Sequence, residues 1–143
     1  MDVFDVIQAP WSLVERDHEA LLHKAAQQGA GIVVRGGVAR GVMVKDAASI
    51  EEYPAFLQPA FRARRKLWQN TNIDDLLDGM TPMAFMLRFT LGNPDMATTI
   101  VGTANPEHLA ANVKVASLGP LPADVYAEAC RRFPISIPDG LVL

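Results

Sequence analysis

The segment at residues 100–108 carries the clearest chemical pattern in the sequence. It reads IVGTANPEH: an apolar run, a glycine, hydroxyl and amide side chains, and a proline that suits the first position of a helix. Free backbone N–H groups at a helix start bind anions, Gly102 lets a ligand approach the backbone, and the Thr103 hydroxyl can donate to a phosphate oxygen. The pattern predicts a site for the phosphate of a nucleotide, unless Asn105 only caps the helix and Gly102 only makes the turn.

Other polar groups have simpler structural explanations. His18 and His23 lie five residues apart, whereas metal-binding histidines on one helix face lie four apart, so we expect a surface helix. Three acidic residues lie in and just after the first turn of a predicted short helix, where the helix dipole stabilises negative charge. They are Asp74, Asp75 and Asp78. We therefore assign no metal site to either group.

A basic cluster and a single cysteine complete the candidates. The cluster comprises Arg62, Arg64, Arg65 and Lys66. It either grips a phosphate or an acidic partner, or forms a solvated helix face, and the acidic balance of the chain favours the solvated face. Cys130 follows a helical pattern with no histidine near it, which is typical of a small core residue. No P-loop lysine, Gly-x-Ser-x-Gly motif or Gly-x-Gly-x-x-Gly motif after a strand is present, so we assign no catalytic residue.

The composition limits the classes of protein to consider. The chain has 143 residues, 50% of them apolar and 20% charged, with Lys and Arg numbering 13 against 16 Asp and Glu for a net charge of -3. This is typical of one globular domain and argues against disorder, nucleic-acid binding and binding to an anionic membrane. One cysteine allows no intramolecular disulfide, and no apolar stretch is long enough to span a bilayer. We expect a cytoplasmic protein with no membrane contact.

Hydrophobic periodicity predicts alternating strands and helices. Short apolar runs at residues 3–9, 31–34 and 97–101 predict three buried strands. Helical patterns cover residues 17–28, 54–67, a short segment around residues 76–77, and residues 81–91, 105–119 and 122–133. This alternation predicts an α/β fold with a parallel sheet. We expect one domain at residues 1–133, with an insertion at about 42–80 between the second strand and its helix, and an irregular tail at 134–143.

Two of the predicted helices have distinctive faces. The helix that Thr81 and Pro82 begin has almost no polar face, so we expect it to be deeply buried. The helix after Asn105 carries an apolar stripe on one side. The stripe consists of Leu109, Val113 and Ala116.

Three segments recur in order and together are similar to one known family. They are VFDVIQAPWS at residues 3–12, GGVARG at residues 36–41 and VGTANPEHLAAN at residues 101–112. With these motifs the chain resembles the C-terminal part of the aldo/keto reductase family, over about residues 3–133. The resemblance implies a partial (β/α)8 (TIM) barrel whose strands correspond to the sixth, seventh and eighth. A closed barrel takes about 250 residues, so we expect about three parallel strands with helices, not a closed barrel.

The resemblance also implies a cofactor, NADP(H) or NAD, and residues that contact it. Gln8 would form a hydrogen bond with the nicotinamide carboxamide. Arg35 stands where the family usually has an aromatic residue that stacks on the nicotinamide ring. Gly36, Val38 and Gly41 match the loop that lies along the pyrophosphate.

The adenosine end of the cofactor is matched by the last motif. Gly102 and Thr103 match the turn at the adenosine 2'-phosphate, with Gly102 in place of a lysine found in many members. His108 occupies a position where the family often has an arginine, and that arginine binds this phosphate. Asn112 matches the asparagine that faces the adenine, and one helical turn separates it from His108.

The catalytic aspartate, tyrosine, lysine and histidine of the family lie on earlier strands, and nothing in this chain corresponds to them. The resemblance therefore implies the NADP(H)-binding portion of an oxidoreductase that reduces carbonyl groups, inactive alone. The alternative is a non-catalytic nucleotide-binding or structural oligomeric module of the same ancestry. Three parallel strands cannot close into a barrel, so we expect a homo-oligomer that covers the exposed sheet edges and apolar faces.

Overall fold

The computed structural model describes residues 3–41 and 48–135 of the chain. Its sheet has three parallel strands in the order β1 (Val6–Pro10), β2 (Gly31–Arg35) and β3 (Thr98–Ile100). In the register of the sheet, Gln8 lies opposite Val33 and Val34 lies opposite Thr99. The predicted α/β fold with three parallel strands is confirmed. The sheet is open, and within the described residues β1 and β3 form its two edges.

Helices connect the strands in the predicted order. They are α1 (Glu19–Gln27), α2 (Ala48–Glu51), α3 (Gln58–Asn70), α4 (Asp74–Leu77), α5 (Pro82–Leu91), α6 (Pro106–Ser117) and α7 (Ala123–Arg132), and a short 3-10 turn lies at Ala39–Gly41. Helix α3 begins later than predicted, because Pro54 instead forms a separate turn in which its carbonyl accepts from the Leu57 N–H (2.8 Å). Helices α2, α3 and α4 lie within the predicted insertion. Its residues 42–47, and residues 136–143 of the predicted tail, lie outside the described part of the chain.

Local capping groups begin two helices where the sequence predicts them. The Thr81 side chain accepts a hydrogen bond from the Ala84 N–H (3.2 Å) at the start of α5. The Asn105 side chain accepts one from the Glu107 N–H (2.9 Å) at the start of α6. Each satisfies one of the backbone donors that a helix start leaves without a partner.

Helix α5 lies at the centre of the core. Phe85, Met86 and Phe89 are fully buried, as predicted for a helix with almost no polar face. The Phe89 ring stacks with Trp11 at a centroid distance of 5.3 Å and with Tyr126 at 4.6 Å. This aromatic stack joins the segment after β1 to α5 and α7.

A buried arginine links α7 to the N-terminal part of the fold. The guanidinium of Arg16 donates two hydrogen bonds to the Glu19 carboxylate (2.5 and 2.6 Å). It also donates to the carbonyl oxygens of Phe133 (2.9 Å) and Cys130 (3.2 Å). Carbonyl groups at the end of a helix lack donors within the helix. Here the Arg16 guanidinium, from a distant part of the sequence, donates to two of them.

The edge strands are more exposed than predicted. The strand expected at residues 3–9 begins at Val6, whose side chain is 59% exposed, and Ala9 is the buried residue of β1. In β3, Ile100 is 51% exposed. The prediction of buried strands is therefore confirmed for β2 only, where Ile32 and Val34 are fully buried. The reason is that β2 pairs on both sides, whereas each edge strand pairs on one.

Helix α6 has its apolar stripe on the surface. Leu109 is 54% exposed, Val113 is 62% exposed, and Ala116 is exposed as well. The apolar stripe of the predicted helix is therefore not part of the described core. Helix α6 packs against α5, and Val115 is the side chain that contacts the core, while no described element covers the stripe.

Candidate functional site

A groove with a volume of about 810 Å³ lies at the carboxyl ends of β2 and β3. The predicted contact residues that line it are Arg35, Gly36, Val38, Gly41, Gly102, Thr103, His108 and Asn112. They come together because the carboxyl ends of neighbouring parallel strands meet at one edge of a sheet. Gln8, the remaining predicted residue, lies outside this groove with an exposed side chain on β1.

The loop after β2 has an unusual backbone. The angle φ is +71° at Gly36, +47° at Ala39, +54° at Arg40 and +71° at Gly41. The Ala39 N–H donates to the Gly36 carbonyl (2.7 Å), and the Gly41 N–H donates to the Val38 carbonyl (2.9 Å). This left-handed conformation is easy for glycine but strains Ala39 and Arg40. The loop therefore forms a tight turn beside the groove.

A close approach fixes this loop against α5. The Thr90 hydroxyl lies 3.0 Å from the Gly37 carbonyl oxygen and 2.9 Å from the Met86 carbonyl oxygen, either of which can accept its hydrogen bond. A Cβ atom on Gly37 would lie 2.9 Å from the Thr90 side chain and 3.0 Å from the Thr99 hydroxyl oxygen. Position 37 therefore requires glycine for space.

The turn after β3 both caps α6 and faces the groove. Asn105 does cap the helix, and its own N–H donates to the Thr103 hydroxyl oxygen (3.1 Å). The hydroxyl hydrogen of Thr103 is not used in that contact, and a Cβ on Gly102 would meet no atom within 4 Å. His108 and Asn112 lie one helical turn apart on α6 and line the same groove. The arrangement offers a hydroxyl donor and open backbone to an anion.

Two arginines give the groove positive charge. Within the described ranges, neither the Arg35 nor the Arg40 guanidinium has a carboxylate or carbonyl partner. Most of the other arginines have such partners. Carboxylates are bound by Arg16, Arg62, Arg64, Arg131 and Arg132, and backbone carbonyls by Arg88. Unpaired guanidinium groups in a chain of net charge -3 favour an anionic ligand at this groove.

Some groove residues were not among the sequence candidates. They include Arg40, Tyr53, Met83 and Ala111. Arg40 lies inside the GGVARG motif and Ala111 lies one turn after His108, so the sequence carried a signal for both. Tyr53 and Met83 carried none, because they reach the groove only through the packing of the segment from α2 to α5.

The remaining polar candidates lie elsewhere. His23 Nδ1 is 2.7 Å from Asp95 Oδ2 at the surface, and His18 is exposed, as a surface helix predicts. Cys130 is half-buried, and burial raises the pKa of its thiol, which does not favour a nucleophile. In the part of the chain that the structure describes, no group of three or more His, Cys, Asp or Glu side chains could hold a metal ion.

The basic cluster on α3 takes part in ion pairs. Arg62 pairs with Glu51 of α2, and Arg64 pairs with Glu15 in the segment before α1. The prediction of a solvated face is therefore wrong for Arg64, whose side chain is only 21% exposed. These charges join elements of the fold.

Residues 2–130 match the model of the aldo/keto reductase family. A search of curated proteins found no match. No helix in the described ranges is long and apolar enough to cross a membrane.

Solved structures of similar fold are aldo-keto reductases. The chain is similar to the aldo-keto reductase AKR11C1 from Bacillus halodurans, with 19% identity and a TM-score of 0.69 for the holo form and 20% and 0.68 for the apo form. It is also similar to the glycerol dehydrogenase AKR11B4 from Gluconobacter oxydans, with 20% identity and a TM-score of 0.65. These alignments cover 97%, 95% and 96% of this chain but 46% of each of those chains, so this chain spans less than half their length. Because the family model matches most of the sequence and the partial barrel is confirmed, the chain belongs to the aldo/keto reductase family.

Proposed function

We propose that this chain is the NADP(H)-binding portion of an oxidoreductase that reduces carbonyl groups. The observation that carries the proposal is the shared groove, which collects residues from the loops after β2 and β3 and from α6. Its volume of about 810 Å³ lies in the range of small-molecule and cofactor sites. One structural neighbour is a glycerol dehydrogenase, a name consistent with exchange between an alcohol and a carbonyl.

The groove residues fit the phosphates of a dinucleotide. A Cβ at Gly36 or Gly102 would meet nothing within 4 Å, so the backbone is open to a ligand there. The Thr103 hydroxyl can donate to a phosphate oxygen, and Arg35 and Arg40 can balance its charge. NADPH would supply the hydride for the reaction, and these residues would bind and orient it.

The two ends of the cofactor would be held by different elements. His108 and Asn112 on α6 would contact the adenosine end, and Gln8 on β1 would contact the nicotinamide. The strands lie in the order β1, β2, β3, so a cofactor held at both ends in this way would cross the carboxyl edge of the sheet. The alternative cofactor is NAD, which lacks the 2'-phosphate that His108 and Thr103 would contact.

A fluorescence titration with NADPH tests the proposal. Thr103→Val removes the hydroxyl with little change of shape, and we expect it to raise the Kd about tenfold, because a hydrogen bond to a charged group contributes about 1.5–3 kcal/mol. Thr98→Val is the matched control, since Thr98 is exposed on β3 and does not line the groove. The absence of a signal at millimolar NADPH, or equal Kd values for Thr103→Val and wild type, would contradict the proposal.

The proposal includes inactivity of the isolated chain. Hydride transfer to a carbonyl needs a positioned proton donor, and none of the family's catalytic residues has a counterpart in this sequence. We therefore expect no oxidation of NADPH above background with a small aldehyde as substrate. Measurable turnover would show that the assignment of no catalytic residue is wrong.

A cytoplasmic location belongs to the same proposal, because one cysteine allows no intramolecular disulfide.

We also propose that the chain associates with itself. The support is its exposed apolar surface: Val6 and Ile100 lie exposed on the edge strands, and Leu109 and Val113 lie exposed on α6. Edge strands and apolar stripes of this kind favour association. Light scattering at micromolar concentration should give a mass above that of one chain, and Val113→Glu should shift it towards the monomer. A strictly monomeric wild-type protein would refute this.

A further inference from the structure

Arg40 holds a strained backbone at the edge of the groove. Its φ and ψ are +54° and +25°, and Ala39 before it is also left-handed. Neither residue is a glycine, so each carries a conformational cost that the surrounding structure must overcome. Strain of this kind concentrates at ligand-binding sites, and Arg40 lines the groove.

Phe61 of α3 contacts the Arg40 side chain. The guanidinium carbon of Arg40 lies 5.8 Å from the Phe61 ring centroid, within the range of a cation–π contact. The Phe61 ring also meets the Tyr53 ring edge to face, at a centroid distance of 4.7 Å and an angle of 81°. Phe61 is only 2% exposed and does not line the groove itself. It therefore contacts two groove-lining residues from outside the groove.

The same ring contacts a second arginine that serves a different purpose. The guanidinium carbon of Arg64 also lies 5.8 Å from the Phe61 centroid, but Arg64 forms an ion pair with Glu15. Arg40 has no carboxylate partner among the described residues. A ring orients a guanidinium without cancelling its charge, whereas a carboxylate does both. Arg40 is thus held in place and keeps a full positive charge for a ligand.

We propose that Phe61 is a positioning residue that holds the Arg40 guanidinium as an anion-binding group of the groove. The ligand group is a phosphate or diphosphate, because the planar guanidinium matches its oxygens in geometry and charge. The inference rests on the proposed function, in which a dinucleotide brings that anion into the groove. Phe61 acts through Arg40 and touches no ligand.

Titrations with NADPH and with inorganic pyrophosphate test this inference. Arg40→Met removes the charge and should raise both Kd values about tenfold. Phe61→Leu keeps an apolar core residue but removes the ring, and should raise both Kd values about threefold to tenfold. Phe61→Tyr keeps the ring and should restore binding close to that of the wild type. Arg64→Met is the control, since it removes the other cation over the same ring and should leave both Kd values unchanged.

The double variant separates positioning from a merely structural effect. If Phe61 acts through Arg40, adding Phe61→Leu to Arg40→Met should not raise the Kd further. If Phe61→Leu fails to fold by circular dichroism, Phe61→Met takes its place. Additive effects, or a Phe61→Leu Kd equal to that of the wild type, would overturn the inference. Equal weakening by Arg64→Met would overturn it as well.

The two ligands distinguish failure of this inference from failure of the proposed function. If pyrophosphate binds in an Arg40- and Phe61-dependent manner while NADPH does not bind, the inference stands and the proposed cofactor is wrong. If NADPH binds with the same Kd in Arg40→Met and wild type, the proposed function stands and the inference is wrong. If neither ligand binds to the wild type, both are wrong.

Discussion

Replacing Arg16 tests how the C-terminal helix is attached. Arg16→Met keeps a long apolar side chain and removes all four hydrogen bonds of the guanidinium. The Glu19 carboxylate, 21% exposed, would keep only the Trp11 Nε1–H donor at 3.0 Å. The carbonyl oxygens of Cys130 and Phe133 would lose the hydrogen bonds that the Arg16 guanidinium donates to them.

The magnitude follows from burial. Removing one partner of a buried ion pair costs about 3–5 kcal/mol, because the other charge stays behind without a partner. Glu19 is partly accessible to water, which reduces that cost. We therefore expect Arg16→Met to lower the free energy of unfolding by about 3 kcal/mol, measured by urea titration with far-ultraviolet circular dichroism.

A matched control lies on α7. Arg131 forms an ion pair with Glu128 at the same spacing of three residues, but its side chain is 73% exposed. Arg131→Met should therefore lower the urea midpoint much less than Arg16→Met. A loss below about 1 kcal/mol for Arg16→Met, or equal losses for the two variants, would refute the conclusion that burial gives the Arg16 contacts their weight.

Two further predictions concern stability. Gly37→Ala places a Cβ 2.9 Å from a threonine side chain of α5 and should lower the free energy of unfolding by about 1–3 kcal/mol in a urea titration. Gly102→Ala is the control, because a Cβ there meets no atom within 4 Å, and it should leave the free energy of unfolding unchanged. Hydrogen bonds from Arg131 and Arg132 lower the pKa of Glu128 to about 2. This carboxylate therefore contributes stability above its unfolded pKa of about 4.5, and the contribution is lost as the pH falls towards 2. Urea midpoints between these pH values should fall less steeply for Glu128→Gln, and identical slopes would refute the role of this pair.

Local sequence signals predicted the fold best where the structure depends on neighbouring residues. Thr81 and Asn105 cap α5 and α6 because the capping side chain and the donor it satisfies lie two or three residues apart. The exposure of Leu109 and Val113 could not be predicted this way. Periodicity shows which side of a helix is apolar, but only the tertiary structure shows whether another element covers that side.

The groove also combines residues that local sequence patterns place with contacts that only the tertiary structure shows. Thr103 and Gly36 could be placed together from the sequence, because loops after neighbouring parallel strands share one edge of the sheet. The GGVARG motif also carried a signal for Arg40, but not for its left-handed backbone or its contact with Phe61. Tyr53 could not be placed, because its position depends on its contact with Phe61. Those contacts join segments that no local pattern relates.

The contacts of α7 have a consequence for the order of folding. Arg16 and Phe133 lie 117 residues apart in the sequence, and the stack of Trp11, Phe89 and Tyr126 also needs α7 to be complete. Closing so long a loop is entropically costly and slow compared with local contacts. During synthesis the three strands are made before α7, so Trp11 and Arg16 gain their final partners only after α7 has been made.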